Sequence, residues 1–195
     1  MIDTFFRLAR LMLVAVLTTL ATGCISNYYV VPTPVVKQYD NKLPVQVGFL
    51  MNNELRGQWY SQRDFAKGRL DIPIGEVVEK HANAFLSEAF EEFYMVRYSH
   101  RRSETGILLK LNSIKFIILD DQAYATLNVT IEGEDGQEIK TSDYFGVGVT
   151  GESMPMRIRV SRVEEELAES TRLALYWAFR EVLLDVKILL DQQRI

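Results

Sequence analysis

The chain has 195 residues but only one cysteine and two histidines, and it has no excess of positive charge. Each shortage removes a class of chemistry. With Cys24 alone, no intramolecular disulfide can close and no CxxC redox pair or cysteine-based zinc framework can form. His81 and His100 lie in no HExxH or HxH pattern, no EF-hand loop occurs, and no Ser, Cys or Thr stands beside a base in a recognisable nucleophile motif. Gly146, Gly148 and Gly151 make no phosphate loop, because no Gly-Lys-Ser/Thr follows them. Asp120 and Asp121, like the acidic run from Glu132 to Glu138, read as solvated turn acids. The expectation is a protein that is not an enzyme, with no catalytic residue, no metal ligand and no cofactor. Lysine and arginine number 22 against 26 aspartates and glutamates, a net charge of −4. Nucleic-acid binding needs a basic patch that displaces counterions from phosphates, so this balance points away from it.

What is present is a composition that can bury a core: 48% apolar and 25% charged residues. That length and composition predict one globular domain preceded by a short extra segment. The extra segment is N-terminal. Arg7 and Arg10 make a positive n-region, and Leu11 to Ala21 make an apolar run of eleven residues, too short for a bilayer that needs about twenty. The run ends in Ala21, Thr22, Gly23 and Cys24, and LMLVAVLTTLATGC resembles the lipobox of a bacterial lipoprotein signal. The resemblance implies cleavage before Cys24, acylation of that cysteine, and a mature charge of −5 once Arg7, Arg10 and Asp3 are removed. Ile25 is not the Asp that retains enterobacterial lipoproteins at the inner membrane, so it implies an outer-membrane destination facing the periplasm. Each buried methylene of an acyl chain contributes about 0.8 kcal/mol, so several chains on one N-terminus hold a domain firmly.

The expected organisation is therefore a signal peptide over 1–23, a lipidated N-terminus with an extended tether over 24–44, and a single α+β domain over 45–195. Pro32, Pro34 and Pro44 keep the tether out of helix. Its Tyr28, Tyr29, Val30 and Val31 are apolar enough either to lie on the domain or a partner, or to form an ordered first strand. Val45, Val47, Phe49 and Met51 alternate with period two and predict a strand over 45–51. The polar stretch 52–73 reads as a long loop with Trp59, Tyr60 and Phe65 as candidate partner-binding anchors, or as a short edge hairpin. From Ile74 the apolar spacing becomes helical through Val77, Val78, Ala82, Phe85, Leu86, Ala89, Phe90 and Phe93, which predicts a helix ending near Tyr94.

A short edge strand over 95–100 and three longer strands follow. Ile107 to Leu119 is β-prone with a slip near Asn112 and Ser113 that suggests a bulge. Asp120 and Asp121 make a turn, and Ala123, Ala125, Leu127, Val129 and Ile131 then share the buried face. After a hairpin turn at Glu134 to Gln137, Ile139, Phe145, Val147 and Val149 are expected inward, with Gly146 and Gly148 outward. Asp143 then has inward parity and reads as part of an irregular strand end. The fold class is α+β: an antiparallel sheet of about four to five strands with two helices packed on one face, in β-α-β-β-β-β-α order.

The last helix, from about Val160 to Asp191, is apolar on two sides. Leu175, Phe179, Val182, Val186, Leu189 and Leu190 form the core stripe at 100° per residue. Leu173, Trp177, Leu184 and Ile188 form a second stripe, flanked by Arg172, Arg180, Glu181, Asp185 and Lys187. A helix apolar on two faces is either covered by another part of the chain or presents a patch to a partner.

The segments IPIGEVVEKHANAFLSEAF, YATLNVTIEGEDGQEIK and VEEELAESTRLALYWAF, behind the lipobox, resemble the small α+β outer-membrane lipoproteins of the YajG type, with a topology also similar to the lipopolysaccharide-transport lipoprotein LptE. The resemblance implies a lipid-anchored periplasmic domain. The expected function is non-enzymatic docking or assembly within a cell-envelope complex, with another envelope protein or a second copy as partner and the membrane engaged through Cys24. The alternative is a lipid- or glycan-binding or transfer lipoprotein, which would be marked by Trp59, Phe65 and Trp177 converging on an open cavity.

Overall fold

The computed structural model describes residues 27–34, 39–64, 68–97, 106–149 and 163–192. Cys24, Phe65 and His100 lie outside them, as do the signal segment and the start expected for the last helix. In chain order the elements are β1 (Asn27–Tyr29), β2 (Leu43–Met51), α1 (Asn53–Arg56), β3 (Tyr60–Asp64), β4 (Gly68–Ile72), α2 (Ile74–Ala89), β5 (Phe90–Val96), β6 (Ile107–Leu119), β7 (Gln122–Glu132), β8 (Glu138–Val147) and α3 (Val163–Asp191). The class is α+β. A five-stranded sheet runs in the order β5-β2-β6-β7-β8, and a small second sheet in the order β1-β4-β3.

The large sheet departs from the expected antiparallel arrangement on one side. β2 is parallel to both of its neighbours, β5 and β6, while β6, β7 and β8 form an antiparallel meander. Parallel pairing of β2 with β5 requires a crossover, and the chain between them supplies it with the β3–β4 hairpin and α2. The second correction is the end of α2. The helix stops at Ala89, and Phe90 already has extended backbone angles of φ −114° and ψ 148°. Phe90 and Phe93 continue the helical spacing, but FEEFYMV pairs as the edge strand β5, because aromatic spacing of this kind suits either element.

β6 and β7 follow their sequence pattern closely. Ala123, Ala125, Leu127, Val129 and Ile131 of β7 are all fully buried. On β6 the register shifts between Leu111 and Ser113, so the inward set passes from Ile107, Leu109 and Leu111 to Ile114, Phe116 and Ile118. Asp120 and Asp121 both have positive φ, 51° and 63°, the geometry of a two-residue hairpin turn that matches strand twist.

β8 reverses the expected parity. Ile131 pairs with Lys140 but Glu132 pairs with Glu138, so Ile139 is an extra residue and every later side chain changes face. Tyr144, Gly146 and Gly148 are buried, whereas Phe145 and Val149 are exposed and Val147 is half-buried. Asp143 lies on the exposed face and accepts a hydrogen bond from Asn128 Nδ2 at 2.6 Å. The two glycines are inward because the backbone of α3 lies directly on them. A Cβ at Gly146 would fall 1.8 Å from the Ala174 carbonyl oxygen, and one at Gly148 would fall 1.8 Å from that of Ser170. Ser170 fastens the contact, accepting from the Ala123 N–H at 2.8 Å and donating to the Gly148 carbonyl at 2.6 Å.

The core lies between the large sheet and the two long helices. Phe179 of α3 meets Phe49 of β2 edge-on at 6.1 Å and stacks on Phe85 of α2 at 6.3 Å. Leu175, Val182, Val186 and Leu189 complete the buried stripe of α3. The second sheet packs on β6 through Tyr60, whose ring meets Phe116 edge-on at 5.0 Å. Its β3–β4 hairpin occupies most of the stretch 52–73, and β1 pairs parallel to β4, leaving Val30 buried. The segment around Tyr28 is thus ordered on the domain as a strand.

Candidate functional site

The second stripe of α3 stands in the open. Trp177, Leu184 and Ile188 are 40%, 41% and 50% exposed, and Leu173 is half-buried. They point away from the core because they lie on the opposite side of the helix from Leu175, Phe179, Val182 and Val186, all of which are buried. The stripe has a defined shape at its centre. The Arg180 guanidinium sits 4.8 Å over the Trp177 ring, and Tyr176 meets that ring edge-on at 5.4 Å. An apolar strip rimmed by charge is the composition of a docking surface.

The other sequence candidates separate from it. Trp59 is 55% exposed and its ring partner is Tyr29 of β1, at 6.0 Å. Tyr60 is a structural anchor: it packs edge-on against Phe116 at 5.0 Å, its hydroxyl accepts from the Ile118 N–H at 3.1 Å, and it donates to Gln62 at 2.8 Å. Burial raises its phenol above the ordinary value. The candidates Cys24 and Phe65 lie outside the described residues.

Between β8 and α3 lies an open cleft of about 370 Å³, lined by Lys140, Ser142, Asp143, Tyr144, Phe145, Glu181 and Asp185. Asp185 Oδ2 accepts from both Lys140 Nζ at 2.6 Å and the Tyr144 hydroxyl at 2.8 Å. Burial first, then the hydrogen bond and charge of Asp185, raise the Tyr144 phenol, so it stays protonated as a donor. The walls are polar and charged, and neither Trp59 nor Trp177 lines the cleft.

The outer face of the meander is divided. Its lower half is a hydrogen-bonded ladder in which Asn112 donates to Asn128 and Thr130, Asn128 donates to Asp143, and Thr141 donates to Glu138. Its upper half is apolar: Ile117 lies opposite Tyr124, Tyr124 opposite Val147, and Phe145 stacks on Tyr124 at 6.3 Å.

His81, on α2, is buried. Its Nδ1 donates to the Val77 carbonyl at 2.8 Å, and its Nε2 has no hydrogen-bond partner. Burial holds its pKa down to about 4, assisted by Arg172, so the ring is neutral and sits in the packing between helices. Among the described residues no group of three His, Cys, Asp or Glu is placed to hold a metal ion. Among them, too, no helix is long and apolar enough to cross a membrane.

No family model and no curated protein matches the chain. Among solved structures it is similar to protein XCC0632 from Xanthomonas campestris, described as a member of the DUF330 family, at 10% identity and a TM-score of 0.40. The match covers 80% of this chain and 98% of that one. At that level the likeness is one of outline and carries no argument about activity.

The cleft is the feature that sequence reasoning missed. Lys140, Tyr144 and Asp185 come together only because of the extra residue at Ile139, which places Lys140 and Tyr144 on the α3 side. The available signal was the pair Gly146 and Gly148: alternate glycines facing a helix mark close backbone approach, and their parity is that of Tyr144.

Proposed function

We propose that this chain is a lipid-anchored protein of the bacterial outer membrane, held through acylated Cys24 on the periplasmic side, whose domain docks onto another envelope component without doing chemistry of its own. The observation that carries the docking reading is the exposed strip of Trp177, Leu184 and Ile188 on a helix whose opposite face is fully used in the core. Three large apolar side chains in one row, each 40–50% exposed, forgo part of the stabilisation of burial, about 1 kcal/mol for each side chain. A partner recovers it. The anchoring rests on LMLVAVLTTLATGC and on the resemblance to YajG-type lipoproteins. A lipid cavity would want mostly apolar walls, whereas the cleft at β8 sets Tyr144 and Phe145 among Lys140, Ser142, Asp143, Glu181 and Asp185.

Two measurements on the full chain in bacterial cells test this reading. Cys24→Ser is expected to leave unprocessed precursor or release the domain to the soluble periplasm. Unchanged processing and membrane association would remove the anchor. A photo-crosslinker at Leu184 is expected to yield a discrete protein adduct, and adducts to lipid or glycan alone would replace docking with ligand transfer.

A further inference from the structure

Among the described residues β8 ends the large sheet and no strand pairs with its outer edge, which adjoins the polar cleft under α3. The Gly148 N–H donates to the Ala123 carbonyl at 2.8 Å, which fixes the alternation of the strand. By that alternation the backbone N–H and C=O groups of Asp143, Phe145 and Val147 point away from β7, along the edge. Edges of this kind are commonly blunted by proline, bulges or short length. From Thr141 to Val147 the strand pairs in unbroken register with β7 and contains no proline.

The side chains beside this edge are arranged by sign and polarity. On the α3 side the two carboxylates of Glu181 and Asp185 line the cleft beside the single ammonium of Lys140, which pairs with Asp185 at 2.6 Å and leaves the cleft net negative. Glu181 is four residues from Trp177 and three from Leu184, so helical geometry runs the cleft into the exposed strip of α3. On the other side Phe145 is 54% exposed and packs with Tyr124, and Val147 lies opposite Tyr124. We infer that the β8 edge receives an extended segment of a partner protein that adds as a sixth strand, with basic side chains directed to Glu181 and Asp185 and the alternate apolar side chains laid on Phe145 and Val147. Main-chain pairing supplies the attachment and the alternate side chains supply the selection. The inference rests on the docking reading of α3 and names the chemistry of the partner.

The test uses the full chain in detergent solution and a fluorescein-labelled octapeptide of alternating arginine and valine, with an alternating glutamate and valine octapeptide as the control. The arginine peptide is expected to bind saturably, and the glutamate peptide at least about tenfold more weakly. Asp143→Pro removes an N–H that faces the open edge, a position where proline is tolerated, and is expected to weaken binding at least about tenfold. Asp143→Asn keeps that N–H and is expected to cost no more than about threefold, and Glu181→Gln about twofold to fivefold. If Asp143→Pro does not fold, Val147→Pro removes an equivalent N–H nearer the strand end. Equal binding of the two peptides, unchanged binding by the proline variant, or equal losses from Asp143→Pro and Asp143→Asn would each overturn strand addition. Failure here, with α3 still shielded in membranes, would leave the docking reading standing.

Discussion

Mild acid is expected to destabilise the domain through His81, and the size of the effect follows from its burial. The ring is 3% exposed and its folded pKa is about 4, against 6.5 for an unburied histidine. The native state therefore keeps the imidazole neutral where the unfolded chain takes up a proton. The stability tied to the neutral ring is complete above pH 6.5 and is lost as the pH falls toward 4. At 1.36 kcal/mol per unit, the shift amounts to about 3 kcal/mol in full and about 2 kcal/mol between pH 7.5 and pH 5. For a domain of this size the latter lowers Tm by about 4–8 °C. Thermal or urea unfolding followed by circular dichroism across that range measures it. The control is His81→Leu, which keeps the volume and removes the unpartnered Nε2, and whose stability should be nearly flat over the same window. A parent protein equally stable at pH 7.5 and pH 5, or a His81→Leu variant with the parent's full pH slope, would refute the assignment.

Three further variants test the packing. Gly146→Ala forces α3 away from β8, because its Cβ would meet the Ala174 carbonyl oxygen at 1.8 Å. It should lower unfolding stability by about 1–3 kcal/mol or more. Gly57→Ala, whose nearest neighbour is Asn53 O at 3.4 Å, should stay within about 0.5 kcal/mol of the parent in the same urea titration. Tyr144→Phe deletes the donor to Asp185 and should cost about 1–2 kcal/mol in urea unfolding, with the Lys140–Asp185 ion pair retained.

Where one physical signal determined an element, the sequence was legible. The strict alternation from Ala123 to Ile131, the slip at Asn112, and the turn at Asp120 and Asp121 all appear in the structure as the spacing predicts. The exposed strip of α3 was legible for the same reason, since helical periodicity separates Trp177, Leu184 and Ile188 from the core stripe. Strand direction was not, because alternation in β2 is the same whether its neighbours run parallel or antiparallel. The boundary at Ala89 was hidden by aromatics whose spacing fits both helix and strand. The β8 face was hidden by one extra residue, Ile139, which exchanges every later side chain between core and solvent. The packing role of Tyr60 was hidden because a loop aromatic carries no mark of whether its hydroxyl will find a backbone donor such as Ile118.

The most direct test of anchored docking exploits the single cysteine. The proposed acylation of Cys24 predicts that the parent protein in envelope membranes resists maleimide labelling. Ile188→Cys then carries the sole free thiol, on the 50% exposed position of the α3 strip. The proposed docking predicts slow labelling in native membranes and fast labelling after purification in detergent. Labelling of the parent at Cys24, or equal rates for Ile188→Cys before and after purification, would contradict the account.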